Sequence, residues 1–403
     1  MKTNWQTKKL GEICNIEIGK TPSRSNKKFW DTEKQTGNVW LSIRDLSDAQ
    51  NKVIFDSREY ISDKGTEKSK KVKKGTLLVS FKLTLGRLAF AGKDLYTNEA
   101  IASLQIKNEK EICKEYLYRC LSYFDWNEAT DGDIKVKGRT LNKAKLKEIK
   151  ISFPSLPEQK RIVKILDEAF EKIEKAKENA EKNLKNAKEL FESYLQNVFA
   201  NPGKDWEEKS LEELGQITSS KRIYKKEYVS DGIPFYRIKE IKELAHDKNI
   251  TLELYISINR YKEIKDVFGV PAVGDILMTA VGTIGEIYVV KDNVEFYFKD
   301  GNILWFKNFN SVDPYFLKFV LMSFVEQINK LSQGSAYSAL TIEKIEKHKI
   351  FLPKSLTEQK TTVKKLDTLS DQTKKLEGVY KQKLADLEEL KKSILNKAFK
   401  GEL

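Results

Sequence analysis

The sequence predicts an α+β protein in which two mixed α/β domains are separated by two long antiparallel coiled-coil helices, with a pseudo-twofold internal repeat. The first observation behind this is that the chain repeats itself. The second is that each copy ends in a segment rich in Lys, Glu, Ala and Leu and almost free of Gly and Pro. The third is that the rest of each copy alternates short β-branched runs with Gly, Asn and Asp, which is typical of short strands and loops.

The repeat is visible in six segments that occur twice in the same order. The clearest pair is PSLPEQK, which ends at Lys160, and KSLTEQK, which ends at Lys360. The segments GTLLVSFKLTLGRLAF from Gly75 and GDILMTAVGTIGEIYV from Gly274 match in the same way. The conserved order indicates that a unit of roughly half the chain is duplicated.

The change in composition within each copy sets the predicted boundaries. We predict a first globular domain over residues 1–154, a first helix over 155–201, a second globular domain over 202–353 and a second helix over 354–403. In this order of elements, the second helix can pair with the first only by running back along it.

The start of each helix carries a capping signal. Ser155 with Glu158, and Ser355 with Glu358, form the S-x-x-E pattern in which the serine hydroxyl and the glutamate satisfy free amides of the first turn. The sequence NPG at 201–203 ends the first helix. The repeated EQK phrase is therefore interpreted as a helix start.

Apolar residues within both helical segments recur at steps of three and four, with one extra step of four at the same place in each copy. This pattern is typical of a coiled coil. The predicted core positions are Ile162, Leu166, Ala169, Ile173, Ala176, Ala180, Leu184, Ala187, Phe191, Tyr194 and Val198, then Leu366, Leu369, Thr373, Leu376, Tyr380, Leu384, Leu387, Lys391, Ile394 and Ala398. An isolated helix with an apolar face is poorly stable in water, so we expect the two helices to pair antiparallel and to bring the C-terminus near the N-terminus.

Residues that would support catalysis are scarce. The two histidines, His246 and His348, have no metal-ligand spacing, and His348 aligns with Ile149 of the first copy, which indicates a structural role. The three cysteines are too few and too scattered for a zinc site or a disulfide framework. No Pro-Pro pair exists, so the D/N-P-P-Y/F/W motif of an amino-methyltransferase is missing. The sequence thus predicts no metal site and no catalytic site.

The charge balance favours a polyanionic partner. Lys and Arg number 73 against 59 Asp and Glu, a net charge of +14. Nucleic acid fits this excess best, and a membrane surface, an acidic protein or an ordinary solvated surface remain alternatives. No apolar run reaches the ~18–20 residues that span a bilayer, and no secretory leader is seen at the start of the sequence. We expect a cytoplasmic protein.

Three polar loops occupy equivalent places in each copy and supply the donors that meet phosphates and base edges. Each loop taken alone is also compatible with a solvated turn. The first, second and third loops span residues 19–28, 80–87 and 135–143 in the first copy, and 218–226, 279–285 and 334–340 in the second. The predicted nucleic-acid contacts are Lys20, Thr21, Ser23, Arg24, Lys82, Thr84, Arg87, Lys137, Arg139, Ser220, Lys221, Arg222, Tyr224, Thr279, Thr283, Ser335, Tyr337 and Ser338.

With its tandem domain–helix order and its paired segments LPEQKRIVKILDEAF and LTEQKTTVKKLDTLS, the whole chain resembles the specificity subunit of type I DNA restriction-modification enzymes. The resemblance implies two target-recognition domains, each reading half of an interrupted site in double-stranded DNA. It implies helices that fix the spacing and dock two methyltransferase subunits. Restriction (helicase-nuclease) subunits complete the complex, and the partner subunits bind S-adenosylmethionine, ATP and Mg²⁺. This chain would bind no cofactor and would not be an enzyme.

Two other classes of function stay open at this point. One is a self-sufficient restriction or modification enzyme, against which the missing catalytic motifs count. The other is a coiled-coil scaffold or regulator that binds no specific DNA. Because the two copies differ most inside their globular domains, the interpretation as a specificity subunit predicts an asymmetric DNA target.

Overall fold

The computed structural model describes residues 5–48, 53–127, 129, 134–135, 138–331 and 341–403. The chain divides into two compact units, of which unit 1 contains Met1–Asn179 with Leu384–Leu403 and unit 2 contains Ala180–Lys383. Each unit therefore holds one globular domain together with part of each long helix, α6 (Leu156–Ala200) and α12 (Leu356–Lys400).

The first globular domain consists of short strands and short helices, as predicted. They are β1 (Gln6–Lys9), α1 (Leu10–Ile13), β2 (Cys14–Ile18), β3 (Val39–Leu41), α2 (Ile43–Asp48), β4 (Val53–Ile54), β5 (Glu59–Tyr60), α3 (Asp63–Thr66), β6 (Lys71–Val72), β7 (Leu77–Ser80), β8 (Lys82–Leu83), β9 (Leu88–Ala91), β10 (Leu95–Thr97), β11 (Ile101–Ile106), α4 (Lys114–Tyr123), β12 (Ile134–Lys135), β13 (Gly138–Thr140), α5 (Lys143–Glu148) and β14 (Lys150–Phe153). The sheets have strand orders β2-β11-β7-β9-β4, β5-β3-β10-β6, β12-β13-β8 and β1-β14.

The second globular domain has a closely related set of elements. They are β15 (Trp206–Ser210), α7 (Leu211–Leu214), β16 (Gln216–Thr218), β17 (Tyr228–Val229), β18 (Ile233–Tyr236), α8 (Ile238–Ala245), β19 (Tyr255–Ile256), α9 (Ile258–Phe268), β20 (Ile276–Thr279), β21 (Ile287–Val289), β22 (Tyr297–Phe298), β23 (Ile303–Lys307), α10 (Pro314–Leu331), α11 (Ile342–Glu346) and β24 (Lys349–Pro353). The sheets have strand orders β16-β23-β20-β21, β17-β19-β18-β22 and β15-β24.

Strand pairing confirms the internal repeat. Strand β1 pairs antiparallel with β14, starting from Gln6 opposite Phe153, and β15 pairs with β24 from Trp206 opposite Pro353. Both domains also contain a parallel pair in the same place, β3 with β10 and β18 with β22, and the first domain has a second parallel pair, β4 with β9. Residues 281–286 lie in the hairpin between β20 and β21, which are antiparallel neighbours.

Each unit has an aromatic cluster in which a ring from a long helix closes the core of the globular domain. In unit 1 the ring centroids of Trp5 and Phe399 lie 6.5 and 5.8 Å from that of Tyr116 on α4. In unit 2 Trp206 and Phe199 lie 5.7 and 5.6 Å from Phe316 on α10. Since Phe399 belongs to the end of α12 and Trp5 to the start of the chain, the expected proximity of the two termini is confirmed.

The long helices run antiparallel in unit 1 and pack together in unit 2. In unit 1, Glu174 of α6 pairs with Lys391 of α12, and Lys177 pairs with Glu388, each at 2.9 Å. One residue number rises as the other falls, which only an antiparallel pair allows. In unit 2, Leu195 of α6 and Leu366 of α12 share a buried cluster with Phe319 of α10.

Burial supports most of the predicted heptad positions and corrects two. Of the 21 positions, eleven are half-buried and eight are buried, namely Ile162, Leu166, Ile173, Ala180, Ala187, Leu366, Thr373 and Ala398. Tyr194 and Leu376 are exposed, so the prediction is wrong at these two positions. At the first of them the neighbouring Leu195 takes the inward position against α10 instead.

Both helices begin directly after the predicted serines, but the glutamates of the predicted capping boxes have other partners. The carboxylate of Glu158 accepts two hydrogen bonds of 2.7 Å from Arg161, one turn further along α6. That of Glu358 accepts a hydrogen bond of 2.9 Å from the indole of Trp206. In both helices a side-chain donor thus takes the place of the cap amide that the prediction gave to the glutamate.

The glutamine of each EQK phrase fastens the helix to its globular domain. The side-chain amide of Gln159 donates to the carbonyls of Pro154 (2.9 Å) and Glu111 (2.8 Å) and accepts from the amide of Cys113 (3.0 Å). Gln159 is fully buried, and its side chain satisfies backbone groups that lie partly or wholly out of reach of water.

Gln359 repeats these contacts in unit 2. It donates to the carbonyls of Pro353 (2.9 Å) and Ser311 (3.4 Å) and accepts from the amide of Asp313 (2.7 Å). It is also fully buried. The repeated phrase thus marks a helix start and, at the fourth residue of the helix, its attachment to the domain.

Candidate nucleic-acid interface

In the first domain, the predicted loops meet at the turn between β10 and β11. The first loop is held there by Lys20, whose amide donates to the carbonyl of Thr97 (2.8 Å). The second is held by Phe81, whose amide donates to Ala100 (3.0 Å). The third loop joins through β13, which pairs with β8 so that Arg139 lies opposite Leu83.

The second loop of this domain is shaped by one buried hydroxyl. The side chain of Ser80 donates to the carbonyl of Thr84 (2.5 Å) and accepts from the amide of Arg87 (2.9 Å). The amide of Gly86 donates to the carbonyl of Ser80 (2.9 Å). These bonds close the loop and turn residues 82–84 outward.

Thr279 does the same in the second domain. Its hydroxyl donates to the carbonyl of Thr283 (2.5 Å) and accepts from the amide of Glu286 (3.0 Å). The tips of both loops are left-handed at the same position, with φ of 64° at Leu83 and 75° at Gly282. A left-handed leucine is strained where glycine is not, and the leucine is also 57% exposed.

Two loops of the second domain meet at the turn between β22 and β23. The hydroxyl of Ser220 donates to the carbonyl of Phe298 (2.7 Å), and the amide of Ala280 donates to Asn302 (2.9 Å). Ser335, Tyr337 and Ser338 of the third loop, and Lys137 of the first domain, lie outside the described residues. For Arg139 the structure describes only the backbone.

Most of the other predicted contact residues lie on the surface of their domain. Ser220 and Thr279 differ, because both are buried and donate their hydroxyls to backbone carbonyls. They hold the loops in shape and present no donor to solvent. Thr21 and Lys82 are half-buried; the exposed residues are Lys20, Ser23, Arg24, Thr84, Arg87, Lys221, Arg222, Tyr224 and Thr283.

An acidic residue that the sequence analysis missed stands among the loops of the first domain. The carboxylate of Glu99 accepts a hydrogen bond from the hydroxyl of Thr21. Partial burial acts to raise the pKa of Glu99, but the Thr21 hydroxyl, the residue's own amide and the charges of Lys82 and Arg24 together lower it. Glu99 is therefore a carboxylate at neutral pH, within electrostatic reach of the first and second loops.

Asp300 has the equivalent place in the second domain. Its carboxylate accepts a hydrogen bond of 2.7 Å from Nε of Arg222. The Thr21–Glu99 and Arg222–Asp300 pairs both join residues 78 positions apart. That distance is why local sequence patterns could not reveal either pair.

Arg24 is the most constrained cation of the first loop. Its guanidinium lies 4.1 Å from the ring of Trp30 and 4.7 Å from that of Trp40. Its two terminal nitrogens both bond to the carboxylate of Glu59. Arg24, Trp30 and Glu59, together with Tyr60, line part of an open cavity of about 320 Å³.

A lysine-rich segment next to the first loop was also missed. Residues 64–74, here called the lysine segment, contain six exposed lysines: Lys64, Lys68, Lys70, Lys71, Lys73 and Lys74. The hydroxyl of Ser69 donates to the carbonyl of Lys20 (2.9 Å), which ties this segment to the candidate interface. The charge run itself was visible in the sequence, but its position beside the first loop was not.

The second domain has helix α9 where the first has α3 and the lysine segment. In both, a serine cap follows the preceding strand, Ser62 before α3 and Ser257 before α9. On α9 the ammonium of Lys265 pairs with Glu295 (3.0 Å). At its end, the ring of Phe268 is 47% exposed and lies 4.9 Å from Nζ of Lys221.

The described residues provide neither a metal site nor a membrane span. No group of three or more His, Cys, Asp or Glu side chains in this part of the chain could hold a metal ion. Over the same residues, no helix combines the length and the apolar character needed to cross a bilayer.

Comparison with known proteins places these domains in a family. The model of the type I restriction modification DNA specificity domain matches residues 2–183 and again 203–388. A putative type I restriction enzyme specificity subunit of Haemophilus influenzae is 29% identical over 65% of this chain and 66% of its own length. A putative specificity subunit of Methanocaldococcus jannaschii is 25% identical over 99% of this chain and 94% of its own.

Solved structures show the same fold. A chain from a structure of the assembly and conformational transition of the type I R-M system gives a TM-score of 0.79 at 20% identity, covering 100% of this chain and 99% of that one. The HsdS subunit of Thermoanaerobacter tengcongensis gives 0.65 at 19% identity, covering 100% and 98%. With two matched copies over most of its length, the chain belongs to the family of type I restriction modification DNA specificity domains.

Proposed function

We propose that this chain is the cytoplasmic, sequence-specific DNA-binding specificity subunit of a type I restriction-modification complex. Each globular domain reads one half of an asymmetric bipartite site in double-stranded DNA. The observation that carries this is the pairing of Thr21 with Glu99 and of Arg222 with Asp300. The second loops are held by the same backbone bond in both domains, Phe81 to Ala100 and Ala280 to Asn302, yet the first loops beside them present different side chains.

The long helices fix the spacing of the two half-sites and dock two methyltransferase subunits. Restriction (helicase-nuclease) subunits join the same complex. In this proposal the chain is a non-catalytic recognition subunit, and its partner subunits carry out methyl transfer and cleavage. S-adenosylmethionine, ATP and Mg²⁺ are bound by the partner subunits.

A chain that carries the second domain twice tests this function. Residues 6–153 are replaced by residues 206–353, because β1–β14 and β15–β24 close both domains in the same register. The wild-type and the hybrid complex with methyltransferase subunits are each supplied with a random DNA library, and the methylated sequences are read. We expect an asymmetric site from the wild type and a symmetric one from the hybrid.

The controls separate recognition from folding. A circular dichroism spectrum and co-purification with the methyltransferase subunits show whether the hybrid is folded and assembled. An assembled hybrid that still methylates the wild-type asymmetric site contradicts the assignment of one half-site to each domain. A wild-type chain that selects no sequence at all supports a scaffold or regulator instead.

A further inference from the structure

Arg222 differs from the other cations of the candidate interface in the way it is held. Its Nε donates to Oδ2 of Asp300 at 2.7 Å, and the side chain of Asp300 is only 15% exposed whereas that of Arg222 is 65% exposed. Among the described residues, the two terminal nitrogens of Arg222 make no hydrogen bond. The guanidinium is thus fixed at one end and open at the other.

This arrangement suits a base edge better than a phosphate. Guanine presents two acceptors, O6 and N7, in the major groove, and the parallel N–H groups of an arginine fork match them. A guanidinium already held in place loses less conformational freedom on binding. The carboxylate of Asp300 cancels the charge that would attract a phosphate and repels a phosphate that comes near, but it tolerates the edge of a neutral base.

We propose that Arg222 is the residue of the second domain that reads a guanine, with Asp300 as its positioning residue. This rests on the proposed function, and it adds a specificity-determining contact to it. Lys221, next in the chain and exposed, carries a charge with no carboxylate partner among the described residues, so it contacts a phosphate.

Among the described side chains of the first domain, none is an equivalent reader. Thr21 takes the place of Arg222 and donates to Glu99, so no guanidinium fork stands there. Arg24, further along the same loop, has both terminal nitrogens on Glu59 and its plane over Trp30 and Trp40. It shapes the loop, and both nitrogens of the terminal fork that Arg222 leaves open are bound here to Glu59. The two half-sites therefore differ at the position that this pair reads.

The test uses the full chain in complex with its methyltransferase subunits and a library randomised over both half-sites. The variants are Arg222→Lys, Arg222→Ala, Asp300→Asn, the double variant Arg222→Ala with Asp300→Asn, and Lys221→Ala. Base preference is read at every position of the methylated site, and affinity for the wild-type site is measured as a function of salt. The half-site of the first domain serves as the internal control.

We expect a G·C pair in the half read by the second domain, with the preference for it lowered roughly 5- to 150-fold in Arg222→Lys and Arg222→Ala. Asp300→Asn should weaken the same position by less, and adding it to Arg222→Ala should have no further effect, because the aspartate acts only through the arginine. Lys221→Ala should lower the salt slope by about 0.9 and leave every base preference unchanged. Arg222→Ala should leave the slope unchanged.

Two results overturn the proposal. One is that the half-site read by the second domain contains no G·C pair. The other is that Arg222→Ala loses affinity evenly at all positions and lowers the salt slope. A wild-type complex with no bipartite site overturns the proposed function itself, which this experiment therefore distinguishes from failure of the guanine contact.

Discussion

In the first domain Thr21 donates to Glu99, whereas in the second domain Arg222 donates to Asp300 from the equivalent place. Beside the first loop, one domain has a run of exposed lysines and the other has α9 with the exposed ring of Phe268. The buried hydroxyls that shape the second loops, Ser80 and Thr279, are conserved in role. The comparison teaches that the duplicated unit kept the bonds that shape its loops and changed the side chains that those loops display.

The largest effect is expected from shortening the long helices α6 and α12. The ion pairs Glu174–Lys391 and Lys177–Glu388 give the register of the helices, so residues 174–180 and 385–391 are facing heptads. Deleting both keeps the apolar positions in phase and shortens each helix by about 10 Å, which corresponds to roughly three base pairs. Methylation of the original site should be lost, while each half-sequence stays the same at a new spacing.

Deleting only one of the two heptads is the control, since it leaves apolar positions out of step and should prevent assembly. Full methylation at the original spacing by the doubly shortened chain would show that the helices do not set the distance.

The next largest effect is expected from removing the glutamine that attaches each long helix to its globular domain. Gln159→Ala and Gln359→Ala each leave one backbone amide and two backbone carbonyls without their side-chain partner, and one of these carbonyls is in a buried bond. Each variant should therefore lower the free energy of unfolding of its unit by about 1–3 kcal/mol. The exposed Gln105→Ala and Gln372→Ala are the matched controls and should change it by less than about 0.5 kcal/mol. Denaturant titration provides the measurement. Very different losses in the free energy of unfolding of the two units would contradict the same role for the two glutamines.

A smaller effect is expected on the salt dependence of DNA binding, because the exposed lysines of the two domains differ in their partners. Lys68→Ala with Lys74→Ala in the lysine segment should lower the slope of log affinity against log salt by nearly 2 units if both contact phosphates. The matched pair in the second domain is Lys239→Ala with Lys265→Ala, whose ammonium groups already pair with Glu253 and Glu295. That pair should change the slope by less than half as much. If the two double variants changed the slope equally, the lysine segment would not contact DNA.

The smallest effect depends on pH. Burial lowers the pKa of His348 from its ordinary value of 6.5, and the ring lies 3.9 Å from that of Phe324. Below about pH 6.5 the unfolded chain binds a proton more readily than unit 2 does, so the free energy of unfolding of unit 2 should fall as the pH is lowered through this range, until the folded form also binds the proton.

The first domain supplies the control, because the buried Ile149 accepts the same backbone hydrogen bond there, from Leu10, as His348 accepts from Leu211. His348→Ile should abolish this pH dependence in unit 2, and Ile149→His should create it in unit 1. A wild-type unit 2 whose unfolding free energy is constant between pH 7 and 5 would contradict a buried, neutral imidazole.

The sequence predicted the repeat, the strands and the long helices because their signals are local or periodic. Leu166 and Ile173 follow a heptad rule that depends only on neighbours along one helix. Gln159 could not be recognised in this way, since one of its partners is Cys113, 46 positions earlier. Glu99 and Asp300 could not be predicted for the same reason, because their partners Thr21 and Arg222 lie 78 positions earlier. Ser220 and Thr279 show a further limit, because loop composition does not tell whether a hydroxyl points inward or toward a ligand.

The place of Phe399 in unit 1 has a consequence for how the chain is made. Unit 2 is continuous in sequence, over Ala180–Lys383, whereas unit 1 needs Leu384–Leu403 to complete its core. Synthesis proceeds at about 5–20 residues per second, so the first globular domain to leave the ribosome waits at least ~10 s for the ring that covers Tyr116. During this interval Trp5 and Tyr116 remain accessible to chaperones and proteases. The part of the protein made first is thus the last to reach its native state.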